Sequence, residues 1–225
     1  MNAQMDIERA RFNMVEQQIR PWEVLDQHVL DLLFTVRRED FAPPQYRSLA
    51  FVDMEIPLTE NALPGERMLA PKLEARMLQE LAITPTDRIL EVGTGSGYMT
   101  ALLAKRGAHV TSVEISPALS AAAGAKLAAH AITNVTLEIG DAARGWHKQA
   151  PYDVIVLTGS EPVLAEEFQR SLKPGGRLLA VIGEAPVMEA LLMTYTGAGA
   201  VATVALFETC IPALTNAPQP ERFVF

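Results

Sequence analysis

Glu91-Val92-Gly93-Thr94-Gly95-Ser96-Gly97 decides the fold. The run follows a short apolar stretch, Arg88 to Val92, and precedes Tyr98 to Lys105, whose pattern is helical. A strand that ends in glycines and opens into a helix aims free N–H groups and the positive end of a helix dipole at a ligand. Glycine lets the backbone turn tightly and approach that ligand without a Cβ in the way. Spacing then narrows the candidates. A dinucleotide fingerprint needs a glycine three places after Gly95, and Tyr98 stands there. A P-loop needs Gly-Lys-Ser/Thr, and none follows. Taken alone, the loop also suits a packing turn in another α/β protein.

Outward from the loop, short apolar runs alternate with helical patterns. His109 to Val113 is a strand, Pro117 to His130 an Ala-rich helix, Val135 to Ile139 a strand and Tyr152 to Leu157 another. Leu164 to Leu172 is a helix, Pro174-Gly175-Gly176 a turn and Arg177 to Ile182 a strand. This alternation predicts a doubly wound, Rossmann-like α/β fold with a mostly parallel sheet and helices on both faces. Val187 to Leu214 closes it with a hairpin through Thr196 to Gly199, and the tail from Thr215 lies over the surface. Upstream, Asp6 to Gln18 is an amphipathic helix with Phe12, Val15 and Ile19 inside, stopped by Pro21. Val24 to Val36 repeats the pattern through Val29, Leu32, Leu33 and Val36. Pro43-Pro44 enforces a loop, Ala50 to Leu58 is extended, Thr59 to Gly65 turns at Pro64-Gly65, and a helix runs from Pro71 to about Leu81. The division is an N-terminal helical, substrate-side segment, 1–85, and a core, 86–225, in a single compact unit.

Acidic residues follow the strands. Glu114 ends the second, where a carboxylate accepts from both hydroxyls of a ribose; a solvated strand-end acid is the plain alternative. Asp141 follows the third, where an acid accepts from an adenine amino group, although Gly140-Asp141 is also an ordinary turn pair. Ligands of open parallel sheets bind at the carboxyl ends of the strands. Gly93, Gly95 and Gly97 have the methyltransferase spacing, and together with Glu114 and Asp141 they predict an S-adenosyl-L-methionine-dependent methyltransferase. Its cofactor residues are Glu91, Gly93, Thr94, Gly95, Ser96, Gly97, Glu114, Ile115, Asp141, Ala142 and Thr158.

Other classes find less support. The 225-residue chain has a net charge of −8 and no run of Lys or Arg, a poor match to a phosphate-backbone binder. The one cysteine, Cys210, excludes an intrachain disulfide and reads as a small buried apolar residue in a reducing compartment. Met1 to Arg11 is polar, and no apolar run is long enough to span a bilayer, so the expected place is the cytoplasm. His28, His109, His130 and His147 lack ligand spacing, so no metal is expected. Ser160 is outside any Gly-x-Ser-x-Gly elbow, and Leu157-Thr-Gly-Ser160 is not the Asn/Asp-Pro-Pro-Tyr of amino methylation on nucleic acids. Met68 and Met77 read as core filling, with a pocket lining as the alternative, and Trp22 and Trp146 as packing, with a substrate-site wall as theirs.

From about Val15 to Leu214 the chain resembles the protein-L-isoaspartate O-methyltransferase family. Val36-Arg-Arg-Glu-Asp-Phe41 is similar to its N-terminal signature, as are Tyr46 and Asp53 to Leu58. Glu91 to Gly97, Gly140-Asp141, Tyr152-Asp153 and Leu172-Lys-Pro-Gly-Gly176 align as well. The resemblance implies methylation of the α-carboxyl of isoaspartyl residues in damaged proteins, with the ester collapsing to a succinimide. It implies that Gly93, Gly95 and Gly97 cradle the methionine part of the cofactor, with Glu114 at the ribose and Asp141 at the adenine end. Its partners would be S-adenosylmethionine, S-adenosylhomocysteine and isoaspartyl proteins or peptides, with no nucleic acid or membrane. The family's Thr-Ile-Ser before a residue and Pro is here Arg67-Met68-Leu69 before Ala70-Pro71, so Leu69 takes the serine's place. The loop Thr158 to Glu161 and the stretch Cys210 to Leu214 also depart from the family pattern. The substrate-side residues are then Leu69, Ala70, Ser160, Ile211 and Pro212, and an altered acceptor site is expected. A small-molecule acceptor and a non-catalytic binding protein are the alternatives.

Overall fold

The computed structural model describes residues 3–197 and 199–221. Ala198, within the expected turn Thr196 to Gly199, lies outside them, as do Met1, Asn2 and residues 222–225. The N-terminal segment comprises α1 (Ala3–Asn13), α2 (Gln27–Thr35), α3 (Arg38–Phe41), β1 (Ile56–Pro57), β2 (Arg67–Met68) and α4 (Pro71–Glu80). Then come β3 (Arg88–Val92), α5 (Tyr98–Arg106), β4 (His109–Glu114), α6 (Pro117–Ala129), β5 (Val135–Ile139), β6 (Tyr152–Leu157) and α7 (Glu166–Arg170). The last elements are β7 (Leu172–Glu184), β8 (Val187–Gly197) and β9 (Ala200–Glu208).

Among the described residues, seven strands form one sheet in the order β5-β4-β3-β6-β7-β8-β9. β5, β4, β3, β6 and β7 run parallel, and β7, β8 and β9 are antiparallel. Central strands are covered on both sides, which is why β3 and β6 carry near-continuous apolar residues rather than alternation. The chain leaves β3 in one direction and β6 in the other, so the crevice at their carboxyl ends is the switch point where such sheets bind ligands. A salt link and a hydrogen bond fix the opposite end of the sheet: Asp153 on β6 accepts from Lys173 Nζ at 2.7 Å and from the backbone N–H of Arg88 at 2.9 Å. No helix among the described residues is long and apolar enough to cross a membrane.

The N-terminal segment departs from its sequence reading in two places. Phe12 is 54% exposed, whereas Met14, Val15 and Ile19 are fully buried. The buried face runs through Arg11, which pairs with Glu39, and on through Met14, Val15 and Ile19 of a π-helical stretch, Met14–Ile19, so Phe12 falls outside it. Ala50 to Leu58 is not extended throughout. Pro44–Phe51 is a 3-10 helix, and side chains take its last carbonyls: Arg38 Nε donates to Ala50 O at 3.0 Å and Gln18 Nε2 to Phe51 O at 3.2 Å.

Three readings change further on. The helix expected over Leu164 to Leu172 is only Glu166–Arg170, because Ala165 is extended and Leu172 already pairs with Tyr152 in the sheet. Cys210 is exposed, not buried, since it lies past the end of β9 where the chain turns back towards Ser160. The tail from Thr215 does not lie wholly over the surface: Asn216 Nδ2 donates to Asp141 at 2.8 Å and Ala217 is buried, while just before it Ala213 bridges to Ser160.

Arg38 joins these parts. Its guanidinium, 1% exposed, donates to Ala50 O through Nε, to the carboxylate of Glu74 through Nη1, and to Leu69 O through Nη2 at 2.5 Å. It also lies 5.1 Å from the ring centroid of Tyr98, at the start of α5. Beside it, buried Arg11 bonds Glu39. The signature Val36 to Phe41 is therefore a clasp that fixes the 3-10 helix, the Leu69 segment and α4 to the core. Removing one member of a buried ion pair leaves the other uncompensated, at about 3–5 kcal/mol. Arg38→Met is expected to lower unfolding stability by about that amount in urea, and Arg38→Met with Glu74→Met by clearly less. A single-variant loss below about 0.5 kcal/mol, typical of a surface change, would contradict this reading.

Candidate functional site

The loop after β3 holds Gly93, Gly95 and Gly97 at φ of 96°, 52° and 82°, in the left-handed region. At Gly93 a Cβ would stand 2.4 Å from Thr158 Oγ1, so this glycine is needed for space as well as for conformation. Thr158, just past β6, donates its hydroxyl to Val92 O at 3.0 Å and Gly93 O at 2.6 Å, tying the two strand ends together. Gly97 opens α5 and packs against Ala123 of α6. From β4, Glu114 reaches back to the loop: Oε2 accepts the N–H of Gly95 at 2.9 Å and Oε1 that of Ser116 at 3.0 Å.

A cavity of about 420 Å³ lies over these strand ends. Of the expected cofactor residues, Gly93, Gly95, Glu114, Ile115, Asp141, Ala142 and Thr158 line it. Asp141 is braced through both oxygens, accepting from Ala143 N at 3.1 Å and Asn216 Nδ2 at 2.8 Å, while Trp146 packs under Gly140. Thr94 and Ser96 instead line a smaller adjoining pocket with Leu69, Met68, Met99 and Glu74. Burial pushes the Glu74 carboxyl up to about 7, against the pull of Arg38.

On the substrate side, Leu69 is 4% exposed and faces the glycine loop across the smaller pocket. Pro212 lines the large cavity. Ser160 and Ile211 are buried and bonded to each other, Ser160 Oγ donating to Ile211 O at 2.9 Å, so they anchor the tail and line neither cavity. Ala70 caps α4 and likewise lines neither.

The sequence reading missed two walls. Leu58, Leu63, Glu66 and Arg67 come from the β1–β2 hairpin, and Leu214 and Thr215 from the tail. The hairpin had a signal in Pro64-Gly65 between Leu58 and Arg67. The tail is placed by pairings distant in sequence: Ser160 N donates to Pro212 O and Leu214 N to Ser160 O, both at 2.9 Å.

A family model described as Protein-L-isoaspartate(D-aspartate) O-methyltransferase (PCMT) matches residues 9–209. The protein-L-isoaspartate O-methyltransferase of Methanoculleus marisnigri is 35% identical over 206 residues, 92% of this chain and 91% of that protein. A solved structure titled protein-L-isoaspartate O-methyltransferase superposes with a TM-score of 0.77 at 24% identity, covering 92% of this chain and 66% of that one, about two thirds of its length. A putative protein-L-isoaspartate O-methyltransferase from Plasmodium falciparum, solved with S-adenosyl-L-homocysteine, gives 0.76 at 19% identity over 90% of this chain and 97% of that one. At these identities the two structures speak for the fold.

Glu91 does not face the cavity. Fully buried on β3, its Oε2 accepts from Thr100 Oγ1 at 2.5 Å and Ser112 Oγ at 2.6 Å, while buried Oε1 has no partner among the described residues. Burial pushes this carboxyl up to about 8; the two hydroxyls oppose the shift and the charge of Glu114 adds to it. An acid whose native pKa exceeds the unfolded 4.5 contributes stability that is full below that value and lost as pH rises through about 8. Glu91→Gln removes the titration. Melting curves from about pH 6 to about pH 9 should show the wild type losing stability relative to the variant, by at most about 1.4 kcal/mol per pH unit. Parallel pH profiles would rule out a titrating Glu91.

Proposed function

Because the chain belongs to the protein-L-isoaspartate(D-aspartate) O-methyltransferase family, we propose that this S-adenosylmethionine-dependent methyltransferase acts on the α-carboxyl of isoaspartyl residues, at an acceptor site altered by Leu69. The observation that carries the reading is the cavity over the strand ends, with Glu114 and Asp141 on one side and the Leu69 pocket opening beside the glycine loop.

The residues fit the cofactor. Gly95 presents backbone without a side chain to the cavity, where a Cβ would meet Leu58 at 3.4 Å. Each Glu114 oxygen accepts one backbone N–H and keeps a second acceptor position, which suits the two hydroxyls of a ribose. Asp141 and Ala142 stand where the adenine end would lie, and 420 Å³ falls in the usual range of small-molecule sites, about 300–1,000 Å³. The division between 1–85 and 86–225 has the same logic: the core holds the cofactor, and the N-terminal segment supplies the hairpin and Leu69.

Bound there, S-adenosylmethionine supplies an electrophilic sulfonium methyl. The acceptor carboxyl is ionised near neutral pH and needs no general base. The chain's work is alignment and exclusion of water, and alignment alone is worth about 7–11 kcal/mol in favourable intramolecular models. Gly93 to Gly97 and Glu114 hold the donor end, Thr158 keeps the loop in place, and Leu58, Leu63 and Leu214 cover the cavity. Leu69 puts an apolar side chain where a hydroxyl would bond the acceptor, so transfer is slow rather than abolished. Incubation with tritiated cofactor and an isoaspartyl peptide, beside its aspartyl control, tests the reading. Label on the isoaspartyl peptide alone supports it, and label on neither points to another acceptor.

Two variants separate donor from acceptor. Glu114→Ala should weaken cofactor binding by about 1.5–3 kcal/mol, the range for hydrogen bonds to a charged group, and calorimetry giving an unchanged Kd would return Glu114 to a merely structural role. Leu69→Ser should leave that Kd unchanged and raise isoaspartyl methylation by about tenfold or more. No gain, or full activity already in the wild type, would count against Leu69 as the limiting residue.

A further inference from the structure

The lining of the two cavities is acidic. Glu66, Glu114 and Asp141 border the large one and Glu74 the small one, and among the described residues Arg67 is the one cationic side chain bordering either. Arg67 borders both, because β2 runs along the wall they share, pairing with β1 through Pro57. The acids are already engaged: Glu66 accepts from Leu63 N at 3.0 Å, Glu114 from two backbone N–H groups, Asp141 from Asn216, and Glu74 from Arg38. Arg67 is engaged weakly. Among the described residues its one ion pair is to Glu55, through Nε at 3.9 Å, and its side chain is 38% exposed. Lys72, close by on α4, is by contrast committed to Asp53 at 2.7 Å.

This arrangement bears on an anionic acceptor. A carboxylate entering beside Leu69 meets the Glu74 carboxyl, with three more acids around the adjoining large cavity, and no side-chain hydroxyl at position 69. The planar fork of a guanidinium matches a carboxylate with two parallel, charge-assisted hydrogen bonds. Its pairing with Glu55 runs through Nε, which leaves both Nη groups to offer.

We propose that Arg67 is the specificity-determining residue that holds the acceptor's carboxylate at the junction of the two cavities. It provides by charge and bidentate geometry the anchoring that Leu69 cannot. The assignment rests on the isoaspartyl reading above and adds the group that recognises the substrate.

The test compares the full-length wild type with Arg67→Gln, Arg67→Ala and Arg67→Lys. Three quantities are measured: methylation kinetics on an isoaspartyl peptide, calorimetric binding of that peptide to protein loaded with S-adenosylhomocysteine, and the Kd of S-adenosylmethionine. The Gln and Ala variants are expected to raise KM and peptide Kd by about tenfold to a hundredfold, with a smaller change in kcat. Lys should recover part of the loss, since it restores the charge without the fork, and cofactor Kd should stay within about twofold. Unchanged KM and peptide Kd in both variants would overturn the inference while leaving the isoaspartyl reading intact. A cofactor Kd weakened as much as the peptide's would overturn it too, assigning Arg67 to the cofactor's own carboxylate. A wild type that neither methylates nor binds the isoaspartyl peptide would remove the parent reading, and this one with it.

Discussion

The buried guanidinium of Arg38 is the interaction on which the rest of the site depends. It bonds three segments at once, through Ala50 O, Leu69 O and the Glu74 carboxylate. None of these three is near it in sequence. A cation with 1% exposure survives only where its donors are used, and here Nε, Nη1 and Nη2 each have an acceptor. Its consequence for function is positional: Leu69 borders the smaller pocket because its own carbonyl is held from behind. The side chain of Leu69 is thus carried into the pocket wall on backbone fixed by the residues of the N-terminal signature.

The cofactor side is built differently, by backbone and carboxylates. Glu114 spends one lone pair of each oxygen on the loop and on the start of α6, which locks its carboxylate in place while leaving acceptor capacity facing the cavity. Glu91, one strand over, is sealed under the loop with Ser112 and Thr100. Two acids at neighbouring strand ends therefore have opposite environments, one bordering the cavity and one bracing the sheet. The shared hydroxyl contact between Thr94 and Ser112, at 2.6 Å, continues the bracing into the glycine loop itself.

Much of this was legible before any coordinates. Strands buried on both faces must be apolar over their length, and a loop that turns three times through the left-handed region must be glycine, so β3, α5 and the loop between them announce themselves. Glu114 and Asp141 followed from their places after strands, and both line the cavity. What stayed hidden depends on pairings far apart in sequence. The first helix buries Arg11 against Glu39, a residue 28 positions on, and Phe12 is left outside that face, which a count of apolar spacing misses. Ser160 was expected beside the substrate, yet its hydroxyl is used on Ile211 O, and only the register of the returning tail reveals that. The same register brings Leu214 and Thr215 into the wall.

That returning tail also sets an order of events during synthesis. A chain emerges from the ribosome N-terminal end first, and its parts fold as they appear. The hairpin at Leu58 to Arg67, the glycine loop, Glu114 and Asp141 are all out before residues 212–215, which complete the cavity by pairing with Ser160. A nascent polypeptide that has formed the parallel strands still lacks one wall of its binding site. The wall that completes the cavity is therefore the last of its parts to be made, and the cavity closes only after residue 215 has emerged.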